Sequence, residues 1–305
     1  MLLSDKEYRY SEIFGQTIQG EGYYTGVPTA WLRLFSCNLE CKGFGQKDPT
    51  DPSTYDLPAE NLDVSNITRM EDLPVFERGC DSSYSWSKKF RHLAYKANAA
   101  TIAERIIDTL KTEHNPEGLF NMKNGAEIHL AFTGGEPMMQ QDAIVDVLSY
   151  MVDIDNYPRF VTIETNGTQH ITQNFKDFFS RHWDIELLFS ISPKLFNVSG
   201  EKNSKAIRPK VIHEYYEFAD MAYLKFVLNG NDAAWAELDE VMNSIGYNES
   251  GKFTLYQLPV WIMPVGATVE GQEITAATVA RKAISRGYNV AVRAHTYLFS
   301  NAMGT

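Results

Sequence analysis

The chain has 305 residues, of which 44% are hydrophobic and 22% charged. That is enough apolar material for a sizeable core in one large domain or two small ones. With 28 Lys and Arg against 39 Asp and Glu the net charge is -11, which argues against sequence-independent nucleic-acid binding, because phosphate affinity needs clustered cations.

The N-terminal residues Met-Leu-Leu-Ser-Asp-Lys-Glu turn polar at once, unlike a secretory signal. No apolar run reaches the roughly 18 residues of a membrane span. A cytoplasmic, membrane-free protein is therefore expected. Ala30–Phe35 reads as a buried strand that runs into Cys37. Residues 42–79 then carry four prolines and few periodic apolar positions, the composition of an irregular excursion. Residues 98–112 place Ile102, Ile106 and Leu110 on one helical face.

Strand 126–132, helix 138–152, strand 160–163, a helix near 171–180 and strand 186–190 follow. Strand 222–228, helix 232–245, strand 253–260, helix 273–286 and strand 288–293 complete the series, with Gly287 placed to end a helix in a left-handed conformation. Alternating strands and helices imply parallel βαβ units with right-handed crossovers. About six such units fall short of a closed eight-unit barrel. The fold expected is α/β, an open partial (β/α)6 barrel in one domain over 1–305, with chemistry at the C-terminal strand ends. The motifs Thr-Gly-Gly-Glu-Pro, Glu-Thr-Asn-Gly and Ser-Pro-Lys all follow predicted strands.

Three cysteines make an odd number at low density, which is not a disulfide framework. Cys37 and Cys41 are separated by three residues. Soft thiolates on such a loop suit an iron–sulfur cluster or zinc; free cysteines are also commonly buried and inert. An electron-transferring four-iron cluster takes four cysteines. Three would leave one position open for a substrate or cofactor.

The stretch Glu12-Ile13-Phe14-Gly15-Gln16-Thr17-Ile18-Gln19-Gly20-Glu21-Gly22, then Gly26-Val27-Pro28 and Leu32-Arg33-Leu34-Phe35-Ser36-Cys37-Asn38-Leu39-Glu40-Cys41, resembles the start of the 7-carboxy-7-deazaguanine synthase family of radical S-adenosylmethionine enzymes. The family's Cys-x3-Cys-x2-Cys motif continues as Cys-Asp-Thr. Here Cys80-Asp81-Ser82 looks like its displaced second half, with 42–79 inserted in the cluster loop. Thr133-Gly134-Gly135-Glu136-Pro137, Glu164-Thr165-Asn166-Gly167, Ser192-Pro193-Lys194, Leu224-Lys225-Phe226-Val227, Met263-Pro264-Val265-Gly266 and Arg293-Ala294-His295 are similar to later family segments, in the same order.

The resemblance implies a [4Fe-4S] cluster on Cys37, Cys41 and Cys80, with S-adenosylmethionine contacted by Gly135, Glu136, Ser192, Pro193 and Lys194, and Mg²⁺ on Ser82. It implies a carboxylated pterin held by Ile18, Gln19, Gly20, Arg33, Thr133 and His295. The activity implied is conversion of 6-carboxytetrahydropterin to 7-carboxy-7-deazaguanine in a queuosine-type pathway. A flavodoxin-like electron donor and a homodimer are implied partners. Two other readings compete: a glycyl-radical-activating enzyme, which shares the cysteine loop and Gly-Gly-Glu-Pro, and a non-catalytic metal-binding or interaction protein.

Overall fold

The structure is a computed structural model that describes residues 5–246 and 258–299. Its backbone is one nine-stranded sheet in the order β3-β1-β2-β4-β5-β6-β7-β8-β9. β1 (Glu7–Ile18) lies antiparallel between β2 (Pro28–Leu34) and β3 (Tyr95–Asn98). From β2 onward every pairing is parallel, through β4 (His129–Gly134), β5 (Phe160–Thr165), β6 (Glu186–Ile191), β7 (Met221–Leu228), β8 (Val260–Pro264) and the two-residue β9 (Asn289–Val290). β3 and β9 are the free edges, so the sheet is open, as an incomplete barrel requires.

The parallel strands read as nearly continuous apolar runs because both faces are covered. In β4, His129 to Phe132 are all buried. Helices occupy the outer layer. α1 (Pro58–Asn61) is a single turn inside the excursion. α2 (Ala99–Thr109) is started by Asn98, whose side chain accepts from the Thr101 N–H, and buries Ile102, Ala103, Ile106 and Ile107. α3 (Gln141–Asp153) and α4 (Gln173–Arg181) cover the next crossovers, and Thr172 caps the second of them.

Two short turns, α5 (Phe196–Ser199) and α6 (Asn203–Ala206), precede α7 (Pro209–Phe218). α8 (Asp232–Gly246), α9 (Val269–Ser285) and α10 (Ala294–Phe299) complete the set. α9 ends two residues before Gly287, whose φ of +75° is the left-handed stop expected there.

Several boundaries moved. The strand expected at 253–260 begins at Val260 and runs to Pro264; 253–257 lie outside the described residues. The strand expected at 288–293 contracts to two residues. β1, β3 and α7 were not expected at all. β1 hides its period because it buries Ser11 and Glu12 beside Tyr10 and Phe14, so no apolar alternation marks it.

Residues 42–79 form a compact excursion with its own small core. Ala59, Met70, Leu73 and Phe76 pack with Tyr84, Phe90 and Leu93, which follow Cys80. The base of the excursion is closed: the Gly79 N–H donates to the Phe44 carbonyl at 2.8 Å, and the Gly43 N–H to that of Ser199 at 2.9 Å.

At the opposite end of the strands, His129 opens β4 with its ring 4.6 Å from both Tyr24 and Phe160, and its Nδ1 is buried without a partner. Burial pushes its pKa from 6.5 down to about 4. The unfolded chain therefore binds this proton across that window while the folded chain does not, so stability present at pH 7 is lost as pH falls from about 6.5 to 4. His129→Phe, which keeps the ring packing, is expected to remove on the order of 2–3 kcal/mol of that acid loss, read as a flatter dependence of Tm on pH.

Candidate functional site

A cavity of about 280 Å³ opens over the C-terminal ends of β2 and β4 to β8. One wall is the cysteine loop. Cys37, Cys41 and Cys80 all line the cavity and share a hydrophobic cluster with Leu39 and Phe44. Cys37 and Cys41 lie on the turn that leaves β2. Glu201, buried, accepts from the N–H groups of Glu40 at 2.6 Å and Cys41 at 2.9 Å, which fixes the turn although Cys41 has a φ of +50°.

Cys80 returns to this wall because the excursion closes immediately before it. Replacing a two-residue spacing with 38 residues adds loop-closure entropy of roughly 2–3 kcal/mol. The Gly79–Phe44 bond and a 2.8 Å bond from the Ser36 N–H to the Ser85 carbonyl flank Cys80 on both sides, and the excursion's own core offsets the rest.

The thiols are poor acids as they stand. Burial pushes Cys37 to about 12, with the Glu136 carboxylate adding to it. Burial pushes Cys80 to about 11, with Asp81 adding to it. Cys41 is driven well above the ordinary thiol range by burial, and the other two cysteines oppose its ionisation. Three mutually repelling soft donors on one wall fit a polynuclear iron–sulfur core, which binds each thiolate at a different iron. They do not form a mononuclear site: among the described residues no three His, Cys, Asp or Glu converge on one ion position.

β4 delivers Thr133, Gly134 and Gly135 to the same cavity. A Cβ on Gly135 would fall 2.2 Å from the Ser36 carbonyl oxygen and 2.8 Å from the Cys37 Cβ, so only glycine lets this loop lie against the cysteines. Glu136 departs from expectation. Its carboxylate is fully buried and accepts from the Met138 N–H at 3.0 Å, Thr165 Oγ1 at 2.7 Å and the Asn166 N–H at 2.7 Å. Burial pushes it up to about 6 against those hydrogen bonds. Its side chain ties the β4 and β5 loops together and lies outside the cavity lining.

Pro193 is likewise outside the lining, between Ser192 and Lys194, which are inside it. Lys194 Nζ donates to Ser192 Oγ at 2.8 Å and lies 5.9 Å from the centre of the Phe44 ring. Asn166, given no role by sequence, donates to Asn38 Oδ1 at 3.0 Å and lies 3.9 Å from Cys37 Sγ.

Ile18, Gln19 and Gly20 form the opposite wall with Arg33 and His295. Gly20 must be glycine, since a Cβ there would sit 1.8 Å from His295 Nδ1. Burial takes His295 down to about 4, so its ring is neutral near pH 7. Arg33 donates to Glu12 Oε2 at 3.0 Å and lies between the rings of Phe14 and Tyr84. Its Nη1 is 3.4 Å from Ser82 Oγ, and that hydroxyl donates to Asp81 Oδ1 at 3.3 Å.

Beneath both walls lies a charge network that sequence reasoning missed. Lys225, 5% exposed, donates to Glu21 Oε2 at 2.5 Å and Glu164 Oε2 at 2.8 Å. Gln19 Nε2 donates to Glu164 Oε1 at 3.2 Å, and Gln19 Oε1 accepts from the Glu21 N–H at 3.1 Å. Burial would raise Glu21, but Lys225 and Arg293 hold it well below the usual carboxylate range. The available signal was a lysine inside the apolar run Tyr223-Leu224-Lys225-Phe226-Val227, where burial demands partners.

No family model matches the sequence. Several curated proteins do, among them two named 7-carboxy-7-deazaguanine synthase. The one from Buchnera aphidicola is 24% identical over 72% of this chain and 77% of its own length. The one from Thermoplasma acidophilum is 24% identical over 96% and 98%. The chain is a relative of the 7-carboxy-7-deazaguanine synthases. The crystal structure of QueE from Escherichia coli superposes with a TM-score of 0.51 at 18% identity, covering 93% of each chain, which places the fold. Similarity to these synthases spans nearly the whole chain, so both the cysteine wall and the Gln19–Arg33 wall lie within it.

Removing the central cation tests the network. Lys225→Met leaves Glu164 without a counter-charge and Glu21 with Arg293 alone. A loss of about 3–5 kcal/mol is expected, measured by denaturant unfolding of the cluster-free protein at neutral pH.

Proposed function

We infer that this chain is a 7-carboxy-7-deazaguanine synthase, a lyase that contracts the ring of 6-carboxy-5,6,7,8-tetrahydropterin to 7-carboxy-7-deazaguanine with loss of ammonia. The observation that carries the reading is the return of Cys80 to Cys37 and Cys41 at one cavity whose other wall is Ile18, Gln19, Gly20 and Arg33. A glycyl-radical-activating enzyme would give that second wall no purpose, and a closed zinc site would need a convergence of ligands that the described residues lack.

In this reading Cys37, Cys41 and Cys80 would hold a [4Fe-4S] cluster, which together with S-adenosylmethionine would supply the radical chemistry for hydrogen abstraction from the pterin. The protein's part is binding, orientation and exclusion of water. Gly135 allows the cofactor close to the backbone, and Ser192 and Lys194 present a hydroxyl and a cation to its polar groups. Arg33 offers a planar fork to the substrate carboxylate, and Glu12 keeps that fork oriented from behind. Gln19, held by Glu164, presents a fixed edge to the pterin. His295, neutral at working pH, offers a hydrogen bond without adding charge.

Mg²⁺ on Ser82 requires Arg33 to turn from that hydroxyl toward the incoming carboxylate, freeing a hard oxygen ligand. The reading also takes a single domain with 42–79 inserted, a flavodoxin-like electron donor, a homodimer and a cytoplasmic location. No helix among the described residues is long and apolar enough to cross a membrane.

Anaerobically reconstituted protein given 6-carboxytetrahydropterin, S-adenosylmethionine and a reductant is expected to release 7-carboxy-7-deazaguanine and ammonia. Absence of product from cluster-loaded protein would sink the reading. Cys80→Ala is expected to lose the broad visible absorption and bound iron of the wild type. A full cluster in that variant would show that Cys80 is not its third ligand.

A further inference from the structure

An open barrel has a seam. β3 and β1 stand on one side of it and β8 and β9 on the other, with no strand pairing across among the described residues. At the cavity rim this seam is laced by the segment after β9. The Ala294 N–H donates to the Gly20 carbonyl at 2.8 Å. Arg293, its side chain 11% exposed, donates Nε to Glu21 Oε1 at 3.0 Å and Nη1 to the Gly266 carbonyl at 3.1 Å, and its Nη2 lies 3.0 Å from Asp81 Oδ2.

Each of its three nitrogens therefore serves a different segment: the loop after β1, the turn after β8 and the cysteine loop. A guanidinium does this because its donors form a rigid planar fork, whereas an ammonium offers a single nitrogen.

The contact with Asp81 matters most. Asp81 adjoins Cys80, the one cysteine whose place is not set by the short turn that carries Cys37 and Cys41. Backbone bonds at Gly79 and Ser85 hold the ends of this leg, and Arg293 holds it laterally through the Asp81 side chain. The same guanidinium holds Glu21, which adjoins the Ile18–Gly20 wall.

We propose that Arg293 is a positioning residue that laces the open seam and fixes Cys80 relative to the Gln19–Glu21 segment, so that the cysteine wall and the opposite wall are set by one side chain. As a statement about cluster and pterin it rests on the synthase reading. As a statement about where Cys80 is held it can be tested without either.

The test uses full-length, cluster-free protein under anaerobic reducing conditions. Thiol alkylation by iodoacetamide is followed at each cysteine by peptide mass spectrometry for the wild type, Arg293→Gln, Arg293→Lys and Asp81→Asn. Compared at equal thiolate fraction, because the Asp81 carboxylate itself opposes ionisation of Cys80, Arg293→Gln and Asp81→Asn are expected to speed alkylation of Cys80 by about tenfold through local opening of its leg, with Cys37 and Cys41 unchanged. Arg293→Lys is expected to fall between them and the wild type.

The double variant is expected to be no faster than either single one, since both remove the same contact. Wild-type rates at Cys80 in Arg293→Gln would overturn the proposal, and so would equal acceleration at all three cysteines, the mark of a merely destabilised fold. On reconstitution, the same variants are expected to lose iron to a chelator faster than the wild type and to raise KM for the pterin more than they lower kcat. A wild type that takes up no cluster would refute the synthase reading while leaving the alkylation result to decide the role of Arg293.

Discussion

One backbone hydrogen bond, from the Gly79 N–H to the Phe44 carbonyl, sets the terms for the rest of the site. It turns a separation of 38 residues along the chain into a local step in space. Together with the Ser36–Ser85 bond and the excursion's own core, it spares Cys80 the closure entropy of a free loop. With it, the cysteine wall has the geometry of a short turn. The excursion adds a satellite core rather than a flexible tether.

The second constraint is electrostatic. The cavity holds several buried charges of both signs, and each is matched. Lys225 answers Glu21 and Glu164, Arg33 answers Glu12, and Arg293 answers Glu21 and Asp81. Buried ion pairs add little net stability against an apolar alternative. They do fix direction: every side chain that faces the cavity from these pairs is held by a partner behind it. A site that must orient a polar substrate gains more from fixed dipoles than from mobile ones.

Much of this was legible in the chain itself. The parallel strands β2 and β4 to β7 announced themselves because strands buried on both faces are continuous apolar runs, and the cavity-lining motifs were placed by the rule that chemistry sits at C-terminal strand ends. β1 was not legible as a strand, because its inward face carries Ser11 and Glu12 and the latter exists to hold Arg33. Glu136 sits outside the cavity lining because nearby backbone donors and Thr165 take up its carboxylate, a set of partners that the sequence does not display. The partners of Glu201 and Arg293 were invisible for a common reason. Each acts on a segment more than 150 residues away, and a single sequence holds no trace of such pairings.

The excursion has a further consequence. Its two ends meet where Gly45 lies against the Glu77 carbonyl and the Gly79 N–H bonds the Phe44 carbonyl. Strain or length change within 46–78 is therefore absorbed before it reaches the cysteines. The segment behaves as an appendage on a clasp: its interior can be rewritten, lengthened or shortened while the clasp holds the thiols in register.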